Sequence, residues 1–239
     1  ISRRDILRGG TALGAAALLG TGLGARPAAA NTPKRGGKFT VAIGTGASTD
    51  TLNPETNIGT SFPVNFNFAV HGFLVETDAD GKAIPDLAES WEASADAKTW
   101  RFKIRQGVEF HDGRTLTARD AANSINIHRT EETPSSAKAL LGDFESVTAN
   151  GDTLVIQLSA GNADIPFLMA DLRFPIYPAK GEGVEWESGI GCGGYVLQSF
   201  EPGVRAHMTR FENYWKPNRA WFDEVEMVVI IDPAARTNA

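Results

Sequence analysis

The chain has 239 residues, of which 22% are charged and 42% apolar, an ordinary globular balance that allows one or two domains. A formal charge of −6 gives no electrostatic footprint for nucleic acid. The only cysteine, Cys192, excludes an internal disulfide, and four scattered histidines (His71, His111, His128, His207) do not make a structural metal site.

The chain opens on Ser2-Arg3-Arg4-Asp5-Ile6-Leu7, followed by a weakly apolar stretch from Thr11 to Gly24 and then Ala28-Ala29-Ala30. A charged head, an apolar middle and a small-residue cleavage site make a secretory signal. The paired arginines point to the twin-arginine route, with Ile6 where phenylalanine is commonest. Glycines at 14, 20, 22 and 24 keep the middle mildly apolar, and it is too short to span roughly 30 Å of hydrocarbon. Residues 1–30 are therefore expected to be removed. They carry four arginines against one aspartate, so the remainder is more acidic still. No cysteine near the cut could carry a lipid, and the expectation is a free, monomeric periplasmic protein.

Beyond a basic start at Lys34-Arg35-Gly36-Gly37, Phe39, Val41 and Ile43 alternate with Thr40 and Ala42, which predicts a strand. A turn-rich stretch covers Gly44 to Pro54, and aromatic-rich 62–73 predicts a helix. Strand-like segments follow at 74–77, 90–93 and 99–104, with Asp80-Gly81 supplying hairpin chemistry. In the third segment Trp100, Phe102 and Ile104 share a packed face, and Arg101, Lys103 and Arg105 share a wet one. Thr117 and Asp120 form a capping box for a helix expected to run to about Thr130. Asn150-Gly151 predicts a hairpin between 145–149 and 153–159, a short helix follows at 164–172, and strands follow at 195–200, 204–210 and 224–231. Many short antiparallel strands with a few helices argue for an α+β fold.

Several blocks resemble the family 5 extracellular solute-binding proteins, which bind peptides, nickel and related solutes. They are Leu52-Asn53-Pro54, Gly72 to Glu76, Pro85 to Trp91, Thr99 to Gly113 running into Leu116 to Asp120, Gly191-Cys192-Gly193-Gly194-Tyr195, and Tyr214-Trp215. The resemblance implies a mixed α/β, type II periplasmic-binding-protein-like lobe. Residues 34–72 and 173–239 would form that lobe, with 73–172 as an inserted β-rich subdomain. It also implies a second lobe beyond Ala239, so that the sequence reads as a fragment holding half of a ligand cleft. A permease of an ABC importer is the implied membrane partner.

Each motif also has a plainer reading. His111-Asp112-Gly113 looks catalytic, but Asp-Gly closes a turn, Val108 and Phe110 pack inward, and His111 is expected to hydrogen-bond locally, away from the cleft. Gly189, Gly191 and Gly194 satisfy G-x-G-x-x-G, yet a strand follows rather than the helix a dinucleotide needs. By resemblance this is a tight turn near the cleft, with Gly194 where many relatives carry proline. Cys192 has no base near it in sequence and reads as a buried, inert thiol. Trp91, Trp100 and Trp215 read as core. Thr60 to Asn67 mixes aromatic and polar groups as ligand pockets do, although Phe62 and Phe66, four apart, would also suit a core. The expected ligand-binding set is Thr60, Ser61, Phe62, Asn65, Cys192, Gly193 and Tyr195, with no catalytic residue, metal or cofactor. The function this implies is reversible capture of a solute, a peptide first. A metal chelate, haem or an opine is the alternative, and an exported hydrolase is the more distant rival.

Overall fold

The computed structural model of the protein describes residues 33–238, so the expected export signal at 1–30 lies outside the described residues. In chain order the elements are β1 (Lys38–Ile43), α1 (Ser61–Val70), β2 (Val75–Thr77), β3 (Ala83–Pro85), β4 (Ala88–Ala93), β5 (Thr99–Ile104) and α2 (Ala118–Asn126). Then come β6 (Phe144–Asn150), β7 (Thr153–Leu158), α3 (Ile165–Leu168), β8 (Ala179–Lys180), β9 (Gly183–Val184), β10 (Tyr195–Glu201), β11 (Arg205–Arg210), β12 (Glu224–Val229) and α4 (Pro233–Asn238). Short 3-10 turns at Ile127–Arg129 and Ser136–Leu141 connect α2 to β6.

One four-stranded sheet has the order β1-β12-β11-β10, parallel between β1 and β12 and antiparallel elsewhere. Its inner face carries Ile43, Ala206, Met208, Val225 and Met227, which meet Phe62, Phe66 and Val70 of α1. Those three helical residues recur every four positions and so share one face. Phe200 stacks on Phe62 at 5.3 Å and meets Phe66 edge-on at 5.6 Å. The outer face is polar, with Lys38 2.6 Å from Glu226. Phe39 remains exposed, stacked only on Phe222 at 5.0 Å, because it lies past the ground that α1 covers.

A second four-stranded antiparallel sheet has the order β4-β5-β7-β6. The alternation expected for residues 99–104 is present: Trp100, Phe102 and Ile104 are buried, while Arg101 and Lys103 are exposed. Leu154, Ile156 and Leu158 of β7 repeat the pattern. Ala118, Ala121, Ala122 and Ile125 of α2 are buried in the same cluster. Each fully buried large apolar side chain contributes about 1.5–3 kcal/mol. The Asn150-Gly151 hairpin joins β6 to β7, with Gly151 at φ 61°.

The capping box at Thr117 is formed. Asp120 accepts the Thr117 N–H at 2.7 Å and its hydroxyl at 2.6 Å, and its other oxygen accepts the Ala179 N–H at 2.6 Å. The helices are shorter than expected. α1 stops at Val70 because His71 is already extended, and α2 tightens into a 3-10 turn after Asn126. The helix expected at 164–172 is a single turn, and the last strand ends at Val229.

Candidate functional site

The loop after β1 is tied to the start of α1 by hydroxyl and carboxylate groups. The Thr45 hydroxyl shares a hydrogen bond with that of Ser61 and accepts the Ser61 N–H at 2.9 Å. Thr60 donates its hydroxyl to Asp50 at 2.9 Å, and Asp50 also accepts the Ala47 N–H at 2.9 Å. Asn65, one turn on, is exposed and donates to the Ser61 carbonyl at 2.7 Å. Ser61 and Asn65 therefore share the polar side of α1, while Phe62 points into the core and is fully buried.

The Gly191–Tyr195 segment passes under the other end of α1. The Gly193 N–H donates to the Val70 carbonyl at 2.8 Å. A Cβ on Gly191 would stand 2.0 Å from that same oxygen, and one on Gly193 2.6 Å from the Val70 carbonyl carbon, so glycine is required for this approach. The strand β10 follows, which agrees with rejecting a nucleotide loop. His111 touches this segment and not its own neighbourhood. Gly191 N–H lies 3.3 Å from Nδ1, and Nε2 lies 3.1 Å from the Gly193 carbonyl oxygen. The local hydrogen bond expected for His111 is corrected accordingly: the inward packing of Val108 and Phe110 turns the ring toward a loop far along the chain.

Beside this segment lies a cavity of about 380 Å³ walled by Phe68, Phe73, Val75 and Trp215, with Cys192 in its lining. At its polar end the Lys216 ammonium sits between Glu76 and Asp86, 2.7 Å from the latter, and 5.2 Å from the centre of the Trp215 ring. The Arg105 guanidinium stacks on that ring at 4.5 Å. Burial raises the Asp86 carboxyl above the ordinary range against the opposing pull of Lys216. Asn65, Phe68 and Tyr195 border a second, shallower groove of about 420 Å³ that runs on to Phe39 and Phe222.

Cys192 and His71 are not set up as a nucleophile and its base. Burial pushes the Cys192 thiol up to about 12, so it is a thiol and not a thiolate. Burial, with the neighbouring His111, drives His71 down to about 3. The structure does bring together one serine–histidine pair that the sequence did not suggest, Ser135 Oγ and His128 Nδ1 at 2.7 Å. Both residues are buried, and the Ser135 oxygen also accepts the Ala137 N–H, capping the 3-10 turn. No three His, Cys, Asp or Glu side chains converge as metal ligands among the described residues.

The seven residues singled out from sequence thus fall in three places. Thr60, Ser61 and Asn65 lie at the start of α1, Phe62 is beneath them in the core, and Cys192, Gly193 and Tyr195 lie on the glycine segment. Thr45, Asp50 and Lys216 escaped sequence reading, and Asp86 stands out there only as part of the Pro85–Trp91 block, not as a site residue. Lys216 directly follows the motif residue Trp215, but no spacing signals its pairing with Asp86.

Residues 82–239 match the family described as bacterial extracellular solute-binding proteins, family 5. Residues 1–20 match the twin-arginine translocation pathway signal sequence. The nickel-binding periplasmic protein of Escherichia coli K12 is 32% identical over 175 residues, which are 70% of this chain and 33% of that protein. Di/tripeptide-binding protein 2 of Pseudomonas aeruginosa is 26% identical over 226 residues, covering 82% of this chain and 42% of that protein. Among solved structures, the binding protein AgaA of A. tumefaciens R10 in complex with agropinic acid superposes with a TM-score of 0.75 at 27% identity. That superposition covers 85% of this chain and 42% of AgaA. The chain therefore spans less than half the length of these relatives.

Proposed function

Because the chain belongs to the family 5 bacterial extracellular solute-binding proteins, we propose that it supplies one lobe of a periplasmic receptor that captures a solute and delivers it to an ABC importer. Capture is reversible and makes or breaks no covalent bond. The solute lies between two lobes, and closure is favoured only by as much as the solute prefers the closed state. The twin-arginine signal directs the protein to the periplasm. The observation that carries this reading is the family match over residues 82–239.

A peptide is the solute class this reading favours, on the likeness to the di/tripeptide-binding protein. A metal chelate or an opine is the second reading, favoured by the nickel-binding relative and by the agropinic acid complex. Within the described residues, Ser61, Asn65 and Tyr195 are the polar contacts of the site, with Thr60 anchoring the helix start. Phe62, Cys192 and Gly193 shape it from beneath. Residues 34–72 with 173–239 form the lobe, and 73–172 the inserted subdomain. The two hydrophobic clusters support that division, although Phe174, Ile176 and Cys192 pack into the cluster of the subdomain.

The test is a thermal-shift panel on the intact exported protein with trialanine, a nickel–histidine chelate and agropinic acid. A solute at about 100 times its Kd adds about 2.7 kcal/mol to stability. A saturable shift with one class is expected, and no shift with any small solute would contradict the receptor reading.

A further inference from the structure

The two sequence motifs that first looked catalytic and nucleotide-binding are in contact with each other. Three hydrogen bonds join them. His111 N–H donates to the Gly191 carbonyl at 2.8 Å, Gly191 N–H donates to His111 Nδ1 at 3.3 Å, and Nε2 donates to the Gly193 carbonyl at 3.1 Å. The ring must accept at one nitrogen and donate at the other, which only the neutral Nε2–H tautomer does. An imidazolium carries hydrogen on both nitrogens and would set Nδ1–H against the Gly191 N–H.

The glycine segment is held from the opposite side by main chain, since Gly193 N–H is bonded to Val70 and a Cβ at either glycine would strike that peptide. It is therefore gripped between α1 and the His111 ring. Phe211 packs edge-on against the ring at 4.9 Å and carries no charge. The titratable groups around the ring are Asp112 on its own turn, His71 at the end of α1, and Cys192 in the gripped segment. Asp112 is paired with Arg114 at 2.6 Å, and burial leaves His71 neutral and Cys192 a thiol.

We propose that His111 is a positioning residue: its neutral ring clasps Gly191–Gly193 and so sets the place of Cys192, Gly193 and Tyr195, and protonation of the ring opens the clasp. Burial holds His111 below the ordinary histidine range, against the opposing effects of the Gly193 carbonyl and Asp112. The clasp is therefore closed at neutral pH and opens in acid. The clasp stands on the geometry alone, whereas its effect on solute affinity rests on the function proposed above.

The test is hydrogen exchange, corrected for intrinsic rate, of the peptide covering Gly191–Tyr195 in the intact protein between about pH 7.5 and 4. Wild type, His111→Gln and His111→Phe are compared. In wild type the corrected exchange is expected to rise on the order of tenfold across that range, as the hydrogen bonds to the ring are lost. His111→Gln keeps an acceptor and a donor that do not titrate, so it should flatten the pH response. His111→Phe should exchange faster at every pH. Flat wild-type exchange, or a His111→Phe segment as protected as wild type, would overturn the clasp. Trialanine affinity is read in parallel. If exchange responds in these variants while affinity for a bound solute does not, the clasp stands and the glycine segment loses its place in the binding site.

Discussion

The Lys216 ammonium lies 2.7 Å from the Asp86 carboxylate, with both side chains largely withdrawn from water. Breaking a buried pair by removing one partner strands the other charge and typically costs about 3–5 kcal/mol. Lys216→Met, which leaves Asp86 buried without a cation, should therefore unfold at clearly lower urea concentration than wild type, whereas Asp86→Ala leaves Lys216 paired with Glu76 and should lose less. Asp86→Ala combined with Lys216→Met should lose less than the sum of the two single changes, because the buried Asp86 charge is then not left without its cation. A strictly additive double variant would show that the contact contributes nothing specific.

Acid should weaken the folded protein in a window set by its buried histidines. Burial drives His71 to about 3 and His128 to about 4, from an ordinary value of 6.5. Both rings stay neutral when folded, whereas the unfolded chain protonates them. Below an ordinary histidine value of about 6.5 the unfolded state binds more protons, so stability falls as pH drops toward 4. The unfolding midpoint should decline over that range, and the decline should be shallower in His128→Leu even though its midpoint at neutral pH is lower. An equal slope would remove His128 from the acid response.

Gly191→Ala places a Cβ 2.0 Å from the Val70 carbonyl oxygen, a main-chain atom with little room to yield. Overpacking of this kind costs about 1–3 kcal/mol. Gly59→Ala, where nothing lies within 4 Å, is the matched control and should stay within about 1 kcal/mol of wild type. Denaturant midpoints of the two variants decide this, and equal midpoints would contradict the close approach under α1.

Asp120→Ala removes the cap of α2 and also the acceptor of the Ala179 N–H. Loss of the cap costs about 1 kcal/mol, and an orphaned amide about 1–3 more. Asp120→Asn keeps acceptor capacity on one oxygen and should fall between Asp120→Ala and wild type in thermal unfolding. An alanine variant as stable as wild type would deny Asp120 its bridging role.

What could be read from sequence was local in character. Strict alternation at Trp100, Phe102 and Ile104, the Asn150-Gly151 turn and the Thr117–Asp120 cap each depend on residues within a few positions, and each is present. Thr60 to Asn67 was legible as a polar–aromatic mixture, but the burial of Phe62 depends on Phe200, which no local pattern brings near. The parallel pairing of β1 with β12 and the grip of His111 on Gly191 join residues far apart in the chain. Alternation in β1 marked Phe39 and Ile43 alike; only the reach of α1 separates the exposed ring from the buried one.

Capture without chemistry is the core of the proposed function. Equilibrium dialysis of the intact exported protein against trialanine, the nickel–histidine chelate and agropinic acid, followed by mass spectrometry of the released solute, tests this directly. The expected result is one solute class held saturably, one per molecule, and recovered at unchanged mass. Recovery of cleaved or altered solute would contradict it, as would the retention of none of the three.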